Sequence, residues 1–95
     1  MKEMSIKELA ALQKQENLAI LDVRDAADFE EQHFEGSLNI PLPELEEKWQ
    51  ELDLNQTYHV VCTKGIRAQK ASNFLSQKGY QVVKITDGWG SYEEE

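Results

Sequence analysis

Three short, largely apolar runs place the strongest constraint on how this chain can fold. Each has the length of a strand and is bounded by polar residues: LAILDV (18–23), YHVVC (58–62) and QVVKI (81–85). Such runs are typical of strands that are covered on both faces of a sheet. Segments with helical spacing separate them. Strands that alternate with helices through short loops predict an α/β sandwich with a mainly parallel central sheet.

Caps and apolar spacing mark the helices between these strands. Ser5 and Glu8 form a capping box for a first helix, which we expect to end near Asn17. Pro43 suits the first turn of a helix through LEEKWQEL (45–52). Another helix follows YHVVC, and Gly79 stands where a left-handed C-terminal cap belongs. One or two helical turns and a brief strand are expected in ADFEEQH (27–33) and SLNI (37–40).

Length and charge restrict the classes of function. The 95 residues give room for one domain, 1–95, whose last few residues are expected to be a frayed acidic tail. No run approaches the roughly 18 apolar residues of a membrane span, and the N-terminus lacks the apolar core of a secretory signal, so we expect a cytoplasmic protein. The formal net charge of −8 argues against nucleic acid or an anionic membrane as a partner.

The only cysteine of the chain lies in the heptapeptide CTKGIRA (62–68). Cys62 ends a predicted strand and Arg67 begins a predicted helix, at the edge where open α/β sheets bind ligands. Gly65 permits a tight turn, and such a loop points successive backbone N–H groups inward as an anion nest. Helix N-termini and cations such as Lys64 favour the thiolate form of cysteine. The loop therefore predicts a nucleophile in an anion pocket, although lone cysteines at strand ends are often small buried apolar residues.

Three segments in this order resemble the rhodanese family. CTKGIRA is similar to the family's active-site loop, in which a cysteine, four residues including a glycine, and an arginine open a helix. LDVRDAADFEEQHFEGSLNIPL (21–42) resembles its Asp-Val-Arg stretch, and ITDGWGSY (85–92) resembles its closing glycine and aromatic segment. Because these segments cover nearly the full length, the resemblance implies a stand-alone rhodanese domain. It also implies a three-layer sandwich of about five short strands with helices on both faces.

The resemblance implies a thiosulfate sulfurtransferase. In the family, the thiolate takes sulfane sulfur from a donor such as thiosulfate, becomes a persulfide, and passes the sulfur to cyanide, a small thiol or a protein cysteine. By position, Cys62 would be the nucleophile, and Lys64 and Arg67 would attract the anionic donor. No metal or organic cofactor is implied. The substrate-binding loop would comprise Thr63, Lys64, Gly65, Ile66 and Arg67.

Other conspicuous residues favour structural roles. Asp22 and Arg24 end a predicted buried strand, where charges need partners, and we expect Arg24 to bridge to Asp28. Asp22 could instead help to orient the active loop from the same sheet edge. His33 is expected to be hydrogen-bonded at a turn rather than to act as a general base. Trp89 either closes the core or flanks the pocket.

Two other functions stay open from the sequence. Cysteine phosphatases use a related loop, but theirs holds five residues between cysteine and arginine, whereas this loop holds four. Arsenate reductases that relay electrons through cysteines need more than one cysteine. A non-catalytic binding or regulatory module on the same fold is the second alternative, and the presence of Cys62, Gly65 and Arg67 argues against it. A single cysteine also requires the sulfur acceptor to come from outside the chain.

Overall fold

The strands predicted from the apolar runs form one parallel sheet in the computed structural model, which describes residues 1–92. Within those residues five strands lie in the order β1-β5-β4-β2-β3, and four α-helices connect them. The predicted α/β sandwich is therefore confirmed. The strands are β1 Lys2–Met4, β2 Ala19–Asp22, β3 Leu38–Asn39, β4 Thr57–Val61 and β5 Gln81–Ile85; the helices are α1 Ile6–Gln13, α2 Ala26–Glu31, α3 Leu42–Lys48 and α4 Ile66–Gln77.

Apolar clusters cover both faces of the sheet. Successive residues of a strand point to opposite faces, and in β4 Val60 packs toward α3 and α4 whereas Val61 packs toward α1. Burying an aliphatic side chain of this size stabilises the fold by about 1.5–3 kcal/mol. Leu45 and Leu75 belong to the first cluster, and Ile6 belongs to the second. β4 is thus the central, doubly covered strand from which the CTKGIRA loop departs.

The first helix begins as the sequence predicts but is shorter. The amide of Glu8 donates to Ser5 Oγ at 3.1 Å, and the Ser5 amide donates to Glu8 Oε1 at 2.9 Å. These hydrogen bonds lower the pKa of the Glu8 carboxyl, the bond from the Ser5 backbone being the larger cause. α1 ends at Gln13, so the expected end near Asn17 is wrong. The last apolar residue at helical spacing is Leu12, and the polar residues after it gain nothing by continuing the helix.

Strand β1 is not predicted from the sequence. β1 pairs in parallel with β5, with Met4 opposite Ile85, and lies at the edge of the sheet. Lys2 and Glu3 are exposed and Met4 is half-buried, so the strand lacks the apolar pattern from which a strand can be predicted. Backbone hydrogen bonds to a strand that is already in place determine its conformation.

Two sequence expectations concern the chain as a whole. None of the helices within residues 1–92 is long and apolar enough to cross a membrane. The expected acidic tail, 93–95, lies outside the described residues. The division of the chain into a single domain, 1–95, stays a prediction.

Candidate active site

The sulfur of Cys62 lies at the end of the central strand, beneath the start of α4. Cys62 is 1% exposed, and Gly65, with φ of +92°, turns the chain into the helix. The Gly65 N–H donates to Cys62 Sγ at 3.0 Å, and the Ala68 N–H donates to the same sulfur at 3.3 Å. Two N–H donors directed at one atom stabilise negative charge there. The two donors form a nest around the sulfur, to which the predicted loop 63–67 contributes the Gly65 amide; the Ala68 amide was not assigned from the sequence.

The closing segment ITDGWGSY (85–92) is hydrogen-bonded to the backbone of the cysteine loop. The Trp89 N–H donates to the Cys62 carbonyl at 3.0 Å, and the Gly90 N–H donates to the Thr63 carbonyl at 2.8 Å. A Cβ on Gly88 would lie 2.1 Å from the Cys62 carbonyl oxygen. This segment was recognised in the sequence only as a family feature. The glycines on either side of Trp89 were the available signal that another backbone approaches closely.

A cavity of about 320 Å³ opens above the sulfur. Lys64 and Ile66 are exposed at its edge, and Arg67 is half-buried. Arg67 Nη1 lies 3.8 Å from Asp25 Oδ1; the Arg67 side chain is 35% exposed and that of Asp25 is 72% exposed. Of the predicted substrate-binding residues, Gly65 shapes the loop rather than the cavity wall. The described lining residues are Cys62, Thr63, Lys64, Ile66 and Arg67.

Asp22 and Arg24 form a buried pair below the loop. Arg24 Nη2 donates to Asp22 Oδ2 at 2.8 Å and to the Gln32 carbonyl at 2.6 Å. The expectation that Arg24 bridges to Asp28 is wrong, because the buried Asp22 carboxylate needs a cation and also accepts the Arg24 N–H at 2.9 Å. Neither residue lines the cavity within the described chain. The guanidinium lies over the ring of Trp89, whose centroid is 5.1 Å from Arg24 Cζ, and the Trp89 N–H donates to the Cys62 carbonyl.

Trp89 and His33 have structural positions. The Trp89 ring packs against Phe34, with centroids 4.7 Å apart, and belongs to the cluster on the α1 face, so it closes the core. It is absent from the described lining of the Cys62 cavity. His33 Nδ1 lies 2.6 Å from the Phe29 carbonyl oxygen, and its ring stacks on Phe29. The histidine is therefore hydrogen-bonded, as expected, and it lies between the end of α2 and the turn at Glu35 and Gly36.

The whole sequence was also compared with models of known protein families. The family model described as a Rhodanese-like domain matches residues 5–95. The chain belongs to the rhodanese-like family. The match spans the capping box, the Asp-Val-Arg stretch, the cysteine loop and the closing segment, so the resemblance drawn from separate motifs holds across the chain.

Individual members of the rhodanese-like family extend the comparison. Thiosulfate sulfurtransferase GlpE from Shewanella oneidensis is 29% identical over 87 residues, which cover 92% of this chain and 86% of that protein. YrkF from Bacillus subtilis, whose name describes a sulfur carrier protein, is 34% identical over 74 residues; these are 77% of this chain but only 40% of YrkF. The crystal structure of a rhodanese-related protein from Thermoplasma volcanium superposes with a TM-score of 0.85 at 32% identity, covering 98% of this chain and 96% of that one. The fold of the present chain is therefore the rhodanese fold.

Proposed function

We propose that this protein is a sulfurtransferase that carries sulfane sulfur as a persulfide on Cys62. One observation carries the proposal: a buried cysteine sulfur accepts two backbone N–H bonds at the base of a cavity edged by Lys64 and Arg67. Such a site stabilises a nucleophilic thiolate and attracts an anionic donor. The names of the GlpE relatives agree with this chemistry.

With thiosulfate as donor, the first step is a displacement at sulfur. The Cys62 thiolate attacks the sulfane sulfur, the sulfur–sulfur bond of thiosulfate breaks, and sulfite leaves with the electron pair. The negative charge passes to the outer sulfur of the new persulfide. Lys64 and Arg67 supply the positive field that brings the doubly charged donor to the buried sulfur.

The second step returns the cysteine to its starting form. An acceptor such as cyanide or a thiolate attacks the outer sulfur, the persulfide bond breaks, and Cys62 leaves as a thiolate. The Gly65 and Ala68 N–H groups, which already donate to Sγ, stabilise that leaving group. Because the chain has one cysteine, the acceptor comes from outside it.

The size of the loop supports sulfur transfer over phosphate chemistry. Four residues separate Cys62 from Arg67, one fewer than in cysteine phosphatases, and the Gly65 amide already donates to the sulfur itself. A cradle of this size suits one added sulfur atom better than a tetrahedral oxyanion. The intact nucleophile and nest also argue against a purely non-catalytic module. The cytoplasmic location expected from the sequence stays a prediction.

Intact-mass spectrometry tests the proposed function. The protein is incubated with thiosulfate, freed of excess donor, and measured before and after cyanide. We expect a mass increase of one sulfur that cyanide removes as thiocyanate, and no increase in Cys62→Ser. If thiosulfate, polysulfide and persulfide donors all fail to load the wild-type protein while its circular dichroism spectrum is native, the proposal is wrong.

A further inference from the structure

Three positive charges of this acidic protein, those of Lys64, Arg67 and Lys70, lie at the cavity or beside it. None of the 18 Asp and Glu residues lies between positions 54 and 86, whereas five of the ten Lys and Arg residues do. This segment contains β4, the cysteine loop and the whole of α4. We define the α4 patch as Lys64, Ile66, Arg67 and Lys70, which follow one another from the cavity edge along the first turns of the helix.

The side chains of the α4 patch are accessible. Lys64, Ile66 and Lys70 are exposed. Ile66 is 66% exposed, more than any other large apolar side chain among residues 1–92. Since Ile66 and Lys70 are four residues apart on a helix, they lie on the same side of α4. Within the described chain, neither Lys64 nor Lys70 pairs with a carboxylate, and Arg67 has only the 3.8 Å contact with Asp25.

The patch is larger than a small donor can use. Lys70 is not among the described residues that line the Cys62 cavity; it borders the neighbouring groove between α3 and α4, opposite Glu46. Thiosulfate held above Cys62 would leave Lys70 and much of Ile66 uncovered. The same side chains give a larger partner positive charge on both sides of an apolar contact at Ile66.

We propose that the α4 patch docks an acidic protein segment that carries the acceptor cysteine, with an apolar residue of that segment against Ile66. This inference rests on the proposed function and names its partner. A protein segment is favoured over nucleic acid for two reasons. The reaction needs a thiol from outside the chain, which nucleic acid lacks. A long polyanion would also extend beyond the patch and be repelled by the acidic residues, all of which lie outside positions 54–86.

The transfer in the docked complex is a thiol–persulfide exchange. The outer sulfur of the loaded Cys62 persulfide, which carries a negative charge, first takes a proton from water. The partner's thiolate then attacks that sulfur, a new sulfur–sulfur bond forms, and the bond to Sγ breaks. Cys62 leaves as a thiolate, and the partner leaves as a persulfide that keeps the proton. No external oxidant or reductant is consumed.

Synthetic peptides test the charge preference. Three peptides of equal length carry Gly-Cys-Gly flanked by glutamate, glutamine or lysine, and mass spectrometry follows sulfur transfer from loaded wild-type protein. We expect the glutamate peptide to react about tenfold faster than the lysine peptide at low salt, after each rate is divided by its value at 1 M salt. The normalisation removes differences in thiol reactivity that do not depend on charge, because the Debye length at 1 M is about 3 Å. The rate at which each peptide takes sulfur from a neutral small-molecule persulfide at the same two salt concentrations corrects for the effect of the flanking charges on the thiol itself.

A matched pair of charge reversals locates the surface. Lys70→Glu should slow transfer to the glutamate peptide several-fold and leave cyanide turnover unchanged. Lys7→Glu makes the same charge change on α1, which packs on the opposite face of the sheet, and should leave both rates unchanged. Two further glutamate peptides carry leucine or serine beside Gly-Cys-Gly. Ile66→Ser should slow sulfur transfer to the leucine peptide more than transfer to the serine peptide.

Binding without sulfur separates this inference from the proposed function. A Cys→Ser version of the glutamate peptide is titrated into unloaded, ¹⁵N-labelled protein, and we expect amide shifts confined to residues 64–70 and the cavity. This measurement holds even if no donor loads Cys62. Equal, salt-independent rates for the three peptides, equal effects of the two reversals, or shifts elsewhere would overturn the proposal. So would an oligonucleotide that binds the wild type but not Lys70→Glu at 0.1 M salt, since it would make the patch a nucleic-acid surface.

Discussion

At the scale of single residues, two glycines at opposite ends of α4 have left-handed backbones, and their replacement should have different consequences. Gly65 and Gly79 have nearly the same backbone torsion, φ of +92° and +94°. A Cβ on Gly65 would lie 2.3 Å from the Thr86 carbonyl oxygen, whereas no described atom lies within 4 Å of one on Gly79. The pair therefore separates the cost of the torsion from the cost of the contact.

We expect Gly79→Ala to lower the free energy of unfolding by about 1–2 kcal/mol, the cost of a left-handed alanine. Gly65→Ala should lose a further amount of about 1–3 kcal/mol through overpacking. It should also lose most of its activity, because the loop must move and take the Gly65 N–H away from Cys62. Urea unfolding and a thiosulfate–cyanide assay measure both effects. Equal losses in the two variants would show that the Thr86 contact has no importance.

Arg67 and Asp25 form a second pair with opposite expected effects. Arg67→Gln should raise the KM for thiosulfate by about tenfold to a hundredfold, since hydrogen bonds to charged groups contribute about 1.5–3 kcal/mol. Asp25→Asn removes the carboxylate that competes for Arg67 and should lower the KM by up to about fivefold, as exposed pairs contribute about 0.2–1 kcal/mol. Steady-state kinetics at low and high salt check both values. A raised KM in Asp25→Asn would contradict the proposed competition.

At the scale of secondary-structure elements, the buried Asp22–Arg24 pair fixes the end of β2 against the closing segment. Asp22→Asn leaves Arg24 without its counter-charge, and removing one partner of a buried pair costs about 3–5 kcal/mol. Lys48→Gln, which removes the exposed pair with Glu44 in α3, should cost far less, because water and salt screen an exposed pair. Denaturant unfolding of the two variants checks the contrast. Similar losses in the free energy of unfolding would mean that the buried pair is no more important for stability than the exposed one.

Tyr80 links the start of β5 to the segment after α3 and should make the stability of the fold decrease at alkaline pH. Its hydroxyl oxygen lies 2.9 Å from both the Trp49 and the Leu52 carbonyl oxygens, so its one O–H is shared between them, and burial raises the pKa of the phenol above its usual range. Below pH about 10 both the folded and unfolded forms keep the proton. As the pH rises above that value, the unfolded chain loses it first, so the stability that Tyr80 contributes declines. The free energy of unfolding should therefore fall more steeply between pH 9 and 11 in the wild type than in Tyr80→Phe. Parallel profiles would exclude this cause.

At the scale of the whole molecule, sequence patterns located the elements that bury apolar surface and missed those held by backbone contacts. β4 and β5 were recognisable because both of their faces are buried. β1 was not, since it adds hydrogen bonds at an edge without an apolar pattern. In the site, Cys62 and Gly65 could be predicted from their spacing. The Ala68 amide and the Gly88 contact depend on how two distant segments pack, and the partner of Arg24 was misassigned for the same reason.

The central position of β4 determines how the molecule should respond to heat. The amides of a strand paired on both sides exchange with solvent mainly by global unfolding, whereas an edge strand such as β1 opens locally. Cys62 directly follows β4, and hydrogen bonds from Trp89 and Gly90 hold the loop against the segment after β5. The sulfur thus belongs to the part of the molecule that opens last. Sulfur transfer and secondary structure should therefore disappear in a single transition on heating, without a folded but inactive state at lower temperature.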